Sequence, residues 1–320
     1  YPANITRAEA AARARQLHIT GYRVTVDLTG SATTFTSTST IRFTSSAGAT
    51  FVDLIADSIV EATLDDAPLD TSGYRGERLD LDLAEGDHVL AITAVCRYSN
   101  TGEGLHRFVD PADERVYCYT QLEVADARRV YACFEQPDLK ASFTFAVIAP
   151  AHWTVLSNSP EVTPIVAGDL GRWEFAATPP ISTYITALIA GEYHTVRSVL
   201  QGRGAEIPLS RSCRISMVPH LDADRLFETT SRGFEVFEQH FGAAYPFSDY
   251  AQVFVPEFNA AATENAGGVT IRDEYVYRSR VSEAAYEGRD NTILHELAHM
   301  WFGNLVTMTW WDYLWLNESF

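Results

Sequence analysis

One pentapeptide constrains this chain more than its composition does. Residues 295–299 read His-Glu-Leu-Ala-His, inside the run from Asp290 to Phe320. On a helix, residues four apart share a face, so His295 and His299 can offer two imidazoles to one ion. Glu296 projects toward the same place, where a carboxylate can take a proton from water that a metal activates. A catalytic zinc ion needs a third protein ligand and one open position. Glu318 can be that ligand. The eighteen residues between it and His299 allow a helix end, a connection and most of a second helix.

A chance match on a surface helix fits the surroundings poorly. Ile293, Leu294, Leu297, Met300, Trp301 and Phe302 make most remaining faces apolar, which predicts a buried helix. Two histidines and a glutamate in such a place are costly unless something satisfies them, and a metal does so.

The run from His295 to Phe320 closely resembles the zinc aminopeptidases of the aminopeptidase N family. There H-E-x-x-H is followed, eighteen residues on, by a glutamate in an N-E-[GS]-F context. Here that context is Asn317-Glu318-Ser319-Phe320. The resemblance implies one zinc ion held by His295, His299 and Glu318, with Glu296 as general base. It also implies a saddle-shaped, all-β antiparallel N-terminal domain followed by an α+β, thermolysin-like zincin domain.

Two earlier stretches gain meaning from the same resemblance. In Tyr119-Thr120-Gln121-Leu122-Glu123, Gln121 and Glu123 would share one face of a strand, and by composition alone that face would be solvent. The order T-Q-x-E, followed by Arg128, Arg129 and Phe134-Glu135-Gln136-Pro137-Asp138, resembles the family. That implies that Gln121 and Glu123 reach the site, Glu123 binding the free α-amino group of a peptide. A free ammonium is well matched by a desolvated carboxylate. Farther on, Ala261-Ala262-Thr263-Glu264-Asn265 stands where the family usually reads G-A-M-E-N. The resemblance implies a substrate-binding edge strand with Ala261, Ala262, Glu264 and Asn265, Glu264 being the second carboxylate for the amine. An extended peptide can pair with such an edge through its backbone. Ala261 and Thr263 depart from the pattern. A Cβ at 261 would cost affinity if that position needs positive φ, and Thr263 replaces a flexible apolar side chain beside the first side-chain pocket.

The texture of the chain divides it at residues 1–193 and 194–320. Ile5 to Leu17 reads as a short helix. From Gly21 the pattern alternates: Tyr22, Val24, Val26 and Leu28, then Phe35 to Phe43, as half-buried strands do. Leu79, Leu81 and Leu83, a Glu85-Gly86 turn and His88 to Val95 predict a hairpin. The Ser/Thr-rich run Thr33 to Thr40 predicts a solvated face. After His194, Asp222 to Phe241 carries apolar residues at helical spacing and ends at Gly242.

Composition sets outer limits. A net charge of −18 over 320 residues argues against nucleic acid as a partner. No run of 18 apolar residues exists, so no membrane-spanning helix is expected. Cys96, Cys118, Cys133 and Cys213 lack C-x-x-C spacing and read as buried free thiols, which fits a cytoplasmic location. The expectation is a zinc aminopeptidase acting on peptides with a free N-terminus, monomeric, of which this chain is the first portion. The chain alone would then expose Trp301, Trp310, Trp311 and Trp315 and be a poor catalyst. An endopeptidase, an epoxide-hydrolysing relative, or a chain that binds zinc without catalysis are the alternatives.

Overall fold

The computed structural model describes residues 5–319. The chain opens on a helix, Arg7–Gln16, started by a reciprocal cap in which Thr6 accepts from the backbone of Glu9 and Glu9 from that of Thr6, satisfying two orphan N–H groups. Arg13 on this helix is buried and paired with Asp53 at 2.8 Å. The helix is thereby pinned to the sheets that follow.

Those sheets form the first body. An eight-stranded sheet is built around Leu17–Asp27, Thr34–Ser45 and Gly86–Arg97. A four-stranded sheet contains Gly104–Val109 and Val116–Gln121, and a two-stranded one pairs Gly48–Asp53 with Arg78–Leu83. Alternation in the sequence becomes alternation in burial: Tyr22, Val24 and Val26 face the core while Arg23 is exposed. Three expectations are corrected here. The large sheet is mixed rather than purely antiparallel, because Gly21–Asp27 runs parallel to Ser142–Ile148. Leu79–Leu83 does not form a hairpin with His88–Val95. Both edges of Gly86–Arg97 are occupied by Thr34–Ser45 and Ser58–Leu64, so the strand before the turn pairs in another sheet. The Ser/Thr run is solvated on one side only: Ser37 and Ser39 are buried between Phe35 and Ile41, since strand period alone decides which side chain turns inward.

At Tyr193 the pairing changes. Tyr193–Gln201, Glu206–Arg214, Tyr250–Val255, Gly268–Arg272 and Ala262–Thr263 make a five-stranded sheet in that order, with Ala262–Thr263 at one edge. Two helices, Ala223–Phe241 and Glu283–Ala298, pack on each other beside it. The first ends at Gly242 in the left-handed conformation, φ 66°. Their shared core contains Phe234, Tyr250, Phe254, Ile271, Ile293, Leu297 and Trp301. Trp301 is 2% exposed, so of the four tryptophans expected at the surface this one belongs to the interior, while Trp315 is 58% exposed. A third cluster, with Tyr117, Tyr119, Ile189, Val253, Val255 and Phe258, joins the four-stranded sheet to the five-stranded one. That junction brings the end of Val116–Gln121 next to Ala262–Thr263.

All four cysteines are free and buried. No helix among the described residues is long and apolar enough to cross a membrane.

The half-buried Asp249 bears on stability. Burial pushes the Asp249 carboxyl up to about 7. The unfolded chain releases that proton near the ordinary aspartate value of about 3.9. The native state therefore holds more protons between those values, and its contribution to stability falls as pH rises through this window. Asp249→Asn is expected to raise the melting temperature at pH 8 and to change it little at pH 4. An equal shift at both pH values would refute this assignment.

Candidate metal centre

The helix Glu283–Ala298 is capped by Ser282 and carries His295 in its last turn, with His299 as its C-terminal cap residue. His295 Nε2 and His299 Nε2 converge to 3.0 Å. His299 is enclosed, and its Nδ1 lies 3.1 Å from the carbonyl of Phe302. A proton on Nδ1 that donates to this carbonyl leaves Nε2 as a lone pair facing outward. Glu318 closes the third side, at 3.6 Å from His295 Nε2 and 3.9 Å from His299 Nε2. It stands on a single helical turn, Trp315–Glu318. Atoms bound tetrahedrally at zinc–nitrogen distances are about 3.3 Å apart, so these three fit such an ion with small adjustments.

The remaining acids surround this trio. Glu264, Glu296 and His299 place ligand-type atoms within 4.8 Å of one another, and so do Glu123, Glu264 and Glu318. Glu264 and Glu296 are 4% exposed, and each has a buried carboxylate oxygen without a hydrogen-bond partner. Burial, and then the neighbouring carboxylates, push Glu123 up to about 8 and Glu296 well above the usual range. Burial, opposed by its own backbone and reinforced by Glu318, pushes Glu264 up to about 7. Beside His295, Glu318 is held below the ordinary range, and His295 is raised in return. Burial and the His295 charge lower His299. So many acids in one partly enclosed place are costly unless cations join them.

Each residue singled out in the sequence can now be located. Glu123 reaches the cluster, but not along a strand. The strand ends at Gln121, and Glu123 sits half-buried in the turn beyond it, before a cis peptide to Val124. Gln121 instead meets the edge strand, its Oε1 accepting from the Thr263 hydroxyl at 3.0 Å. Thr263 is thus enclosed and engaged. Ala262 is half-buried and Ala261 exposed. Ala261 is absent from the residues with positive φ, so its Cβ meets no left-handed strain. Asn265 is fully enclosed and gives its amide to Thr270 at 3.2 Å, so its side chain lies behind Glu264 rather than in open space. Sequence reading missed Asn304, whose amide donates to the Glu264 carbonyl at 2.7 Å, and Lys140, whose ammonium donates to the Asn304 carbonyl at 2.8 Å. Neither position carried a pattern that could have revealed it.

Two imidazoles and a carboxylate, with a buried acid beside them, form a cluster of ligand-type groups that could hold a metal ion. Comparison with known proteins places the chain in a family. The Peptidase M1 N-terminal domain profile matches residues 19–185 and the Peptidase family M1 domain profile matches residues 225–320. The chain belongs to peptidase family M1. It is 55% identical over 323 residues to Aminopeptidase N of Streptomyces lividans, covering 99% of this chain and 37% of that protein. It is 37% identical over 218 residues to Aminopeptidase N of Rattus norvegicus, covering 67% of this chain and 22% of that protein. With Aminopeptidase M1-B of Oryza sativa subsp. japonica it shares 31% over 274 residues, 84% of this chain and 30% of that protein. The chain therefore spans well under half the length of these relatives.

Proposed function

We propose that this chain carries the zinc-binding and amine-binding parts of an aminopeptidase. The observation that supports the reading best is the convergence of His295, His299 and Glu318 beside two further groups, the enclosed Glu296 and the pair Glu123 and Glu264. In this reading His295, His299 and Glu318 hold one zinc ion. When bound, zinc supplies Lewis acidity toward a carbonyl oxygen and toward water. Glu296 accepts the proton of the attacking water and returns it to the leaving amine. Its raised proton affinity suits both halves of that task.

Glu123 and Glu264 select the substrate. A free ammonium between them offsets the burial that raises both, and each carboxylate then makes a charge-assisted hydrogen bond. Anchoring the amine within reach of Glu318 leaves only the first peptide bond near the metal ligands, which is a positioning role. The exposed edge at Ala261 and Ala262 offers backbone groups to an extended peptide.

The test compares leucyl and alanyl amides carrying free or acetylated amines, with a chelator control. Only free-amine substrates should be hydrolysed, and chelation should abolish turnover until zinc is restored. Glu264→Gln should cost about 2–5 kcal/mol in kcat/KM, the range for truncating one partner of a buried charge pair. Efficient cleavage of acetylated peptides would favour an endopeptidase instead.

A further inference from the structure

The three groups assigned to zinc come from two different bodies. His295 and His299 ride on a helix whose core is shared with the five-stranded sheet. The segment that delivers Glu318 leans elsewhere: Trp311, Tyr313, Leu314 and Leu316 pack against the core of the first body. Arg7 of the opening helix also donates to the Tyr313 hydroxyl and lies over its ring at 4.8 Å. The centre is complete only where these two packings meet.

One side chain spans that meeting. Tyr184 lies in the short turn Thr183–Ile185 of the first body and is wholly enclosed. Its hydroxyl accepts from Asn317 Nδ2 at 2.9 Å and faces the carbonyl of Gly303 at 3.5 Å. Asn317, 2% exposed, directly precedes Glu318. Gly303 lies four residues beyond His299 and directly follows Phe302, whose carbonyl faces His299. The fit there is tight. Gly303 has φ 122°, and a Cβ on it would stand 3.2 Å from Asn317 Nδ2 and 3.3 Å from His299 Nδ1. The Tyr184 ring also stands edge-on to Trp311 at 5.2 Å between centroids.

A buried tyrosine ordinarily finds some partner for its hydroxyl, so burial alone carries no functional meaning. What distinguishes Tyr184 is the identity of its partners, one beside each arm of the metal site. We propose that Tyr184 is a positioning residue for the metal, holding Glu318 in register with His299 through Asn317 and Gly303. This rests on the zinc reading above. Partners of this kind, bonded to ligands or to their immediate neighbours, tune metal affinity without touching the ion.

The experiment measures zinc affinity of the full chain by competition with a chromophoric chelator, together with the visible spectrum of the cobalt-substituted protein and the melting temperature of the metal-free form. Tyr184→Phe is expected to weaken zinc binding by about 10–100-fold and to alter the cobalt spectrum. Asn317→Ala should do the same, and the double variant should lose no more than the larger single loss, because both cut one link. If Tyr184→Phe does not fold, Asn317→Ala alone decides by the same affinity threshold. Wild-type zinc affinity and an unchanged spectrum in a folded Tyr184→Phe chain, even with a lowered melting temperature, would reduce Tyr184 to a core residue and overturn the proposal. His295→Ala separates the two readings. Loss of zinc in that variant upholds the ligand assignment whatever Tyr184 does, whereas full retention removes the zinc reading and this inference with it.

Discussion

Glu296→Gln is expected to leave metal uptake intact and to remove turnover. The amide has the shape of the carboxylate but cannot accept the proton of an attacking water. General acid–base groups contribute about 10²–10⁴ in rate, so at least a hundredfold loss in kcat is expected, measured in this chain and in any longer form that contains it. Zinc content should stay at one ion per chain, because Glu296 is not among the three groups assigned to the ion. A second signature follows from the burial of this acid among others. Burial first, and then Glu264, Glu318 and Glu123, raise the proton affinity of Glu296, so a neutral residue there avoids the cost of a buried charge among them. The metal-free Gln variant should therefore melt no lower than the wild type. Activity above a tenth of wild type would remove Glu296 from the role of base. Lost zinc would mean that it helps to hold the metal.

The centre was legible in the sequence because its parts obey local rules. A period of 3.6 residues puts His295 and His299 on one face whatever surrounds them. A fixed connection then returns Glu318 to them. The approach of Glu123 to this cluster was legible only through resemblance. Nothing in the composition of Gln121-Leu122-Glu123 says that the strand stops at Gln121 and turns Glu123 inward. That turn depends on contacts with a segment more than a hundred residues later, where Thr263 meets Gln121. The failed hairpin at Leu79–Val95 has the same origin. Two alternating runs around a glycine turn satisfy the local signal, but pairing is a competition, and longer partners had taken both edges of the second strand. Ser37 and Ser39 show that period outranks polarity once Phe35 and Ile41 have fixed which side is inside. Tyr184 could not be read at all, since its meaning lies in partners 119 and 133 residues away.

The largest stability effect is expected at Arg214, far from the metal. Arg214 is 6% exposed, and its guanidinium bridges Asp110 at 2.6 Å and Asp273 at 2.7 Å, while Ser216 donates to the same Asp110 oxygen at 2.6 Å. Asp110 and Asp273 are 1% and 6% exposed. The two acids respond differently to one arginine. Burial opposes ionisation of Asp110, but Ser216, the Ala112 N–H and Arg214 outweigh it and hold the group below its ordinary value. At Asp273 burial wins over Arg214, aided by Glu274, and the group is raised. Removing the cation strands both carboxylates. Arg214→Met is therefore expected to cost about 3–5 kcal/mol, the range for breaking a buried pair from one side, and to lower the melting temperature by roughly 10 °C on the scaling for large domains. The depressed Asp110 fixes the sign with pH. Its contribution is present above the unfolded value of about 3.9 and is lost as pH falls through the lower folded value. The gap between wild type and variant should thus narrow on acidification toward pH 3. Replacing Arg214, Asp110 and Asp273 together by apolar residues should recover part of the loss, because a buried network is costly to halve and much less costly to replace whole. This network also bears on the site. Asp110 begins the turn before Val116–Gln121, the strand that leads to Gln121 and Glu123, whereas Arg214 and Asp273 belong to the body that carries Glu264. Cutting the link should loosen Glu123 relative to Glu264 and raise KM for free-amine substrates while leaving zinc affinity unchanged. A variant within 1 kcal/mol of wild type, by denaturant titration at pH 7, would show that these charges are hydrated and that the link between the bodies lies elsewhere.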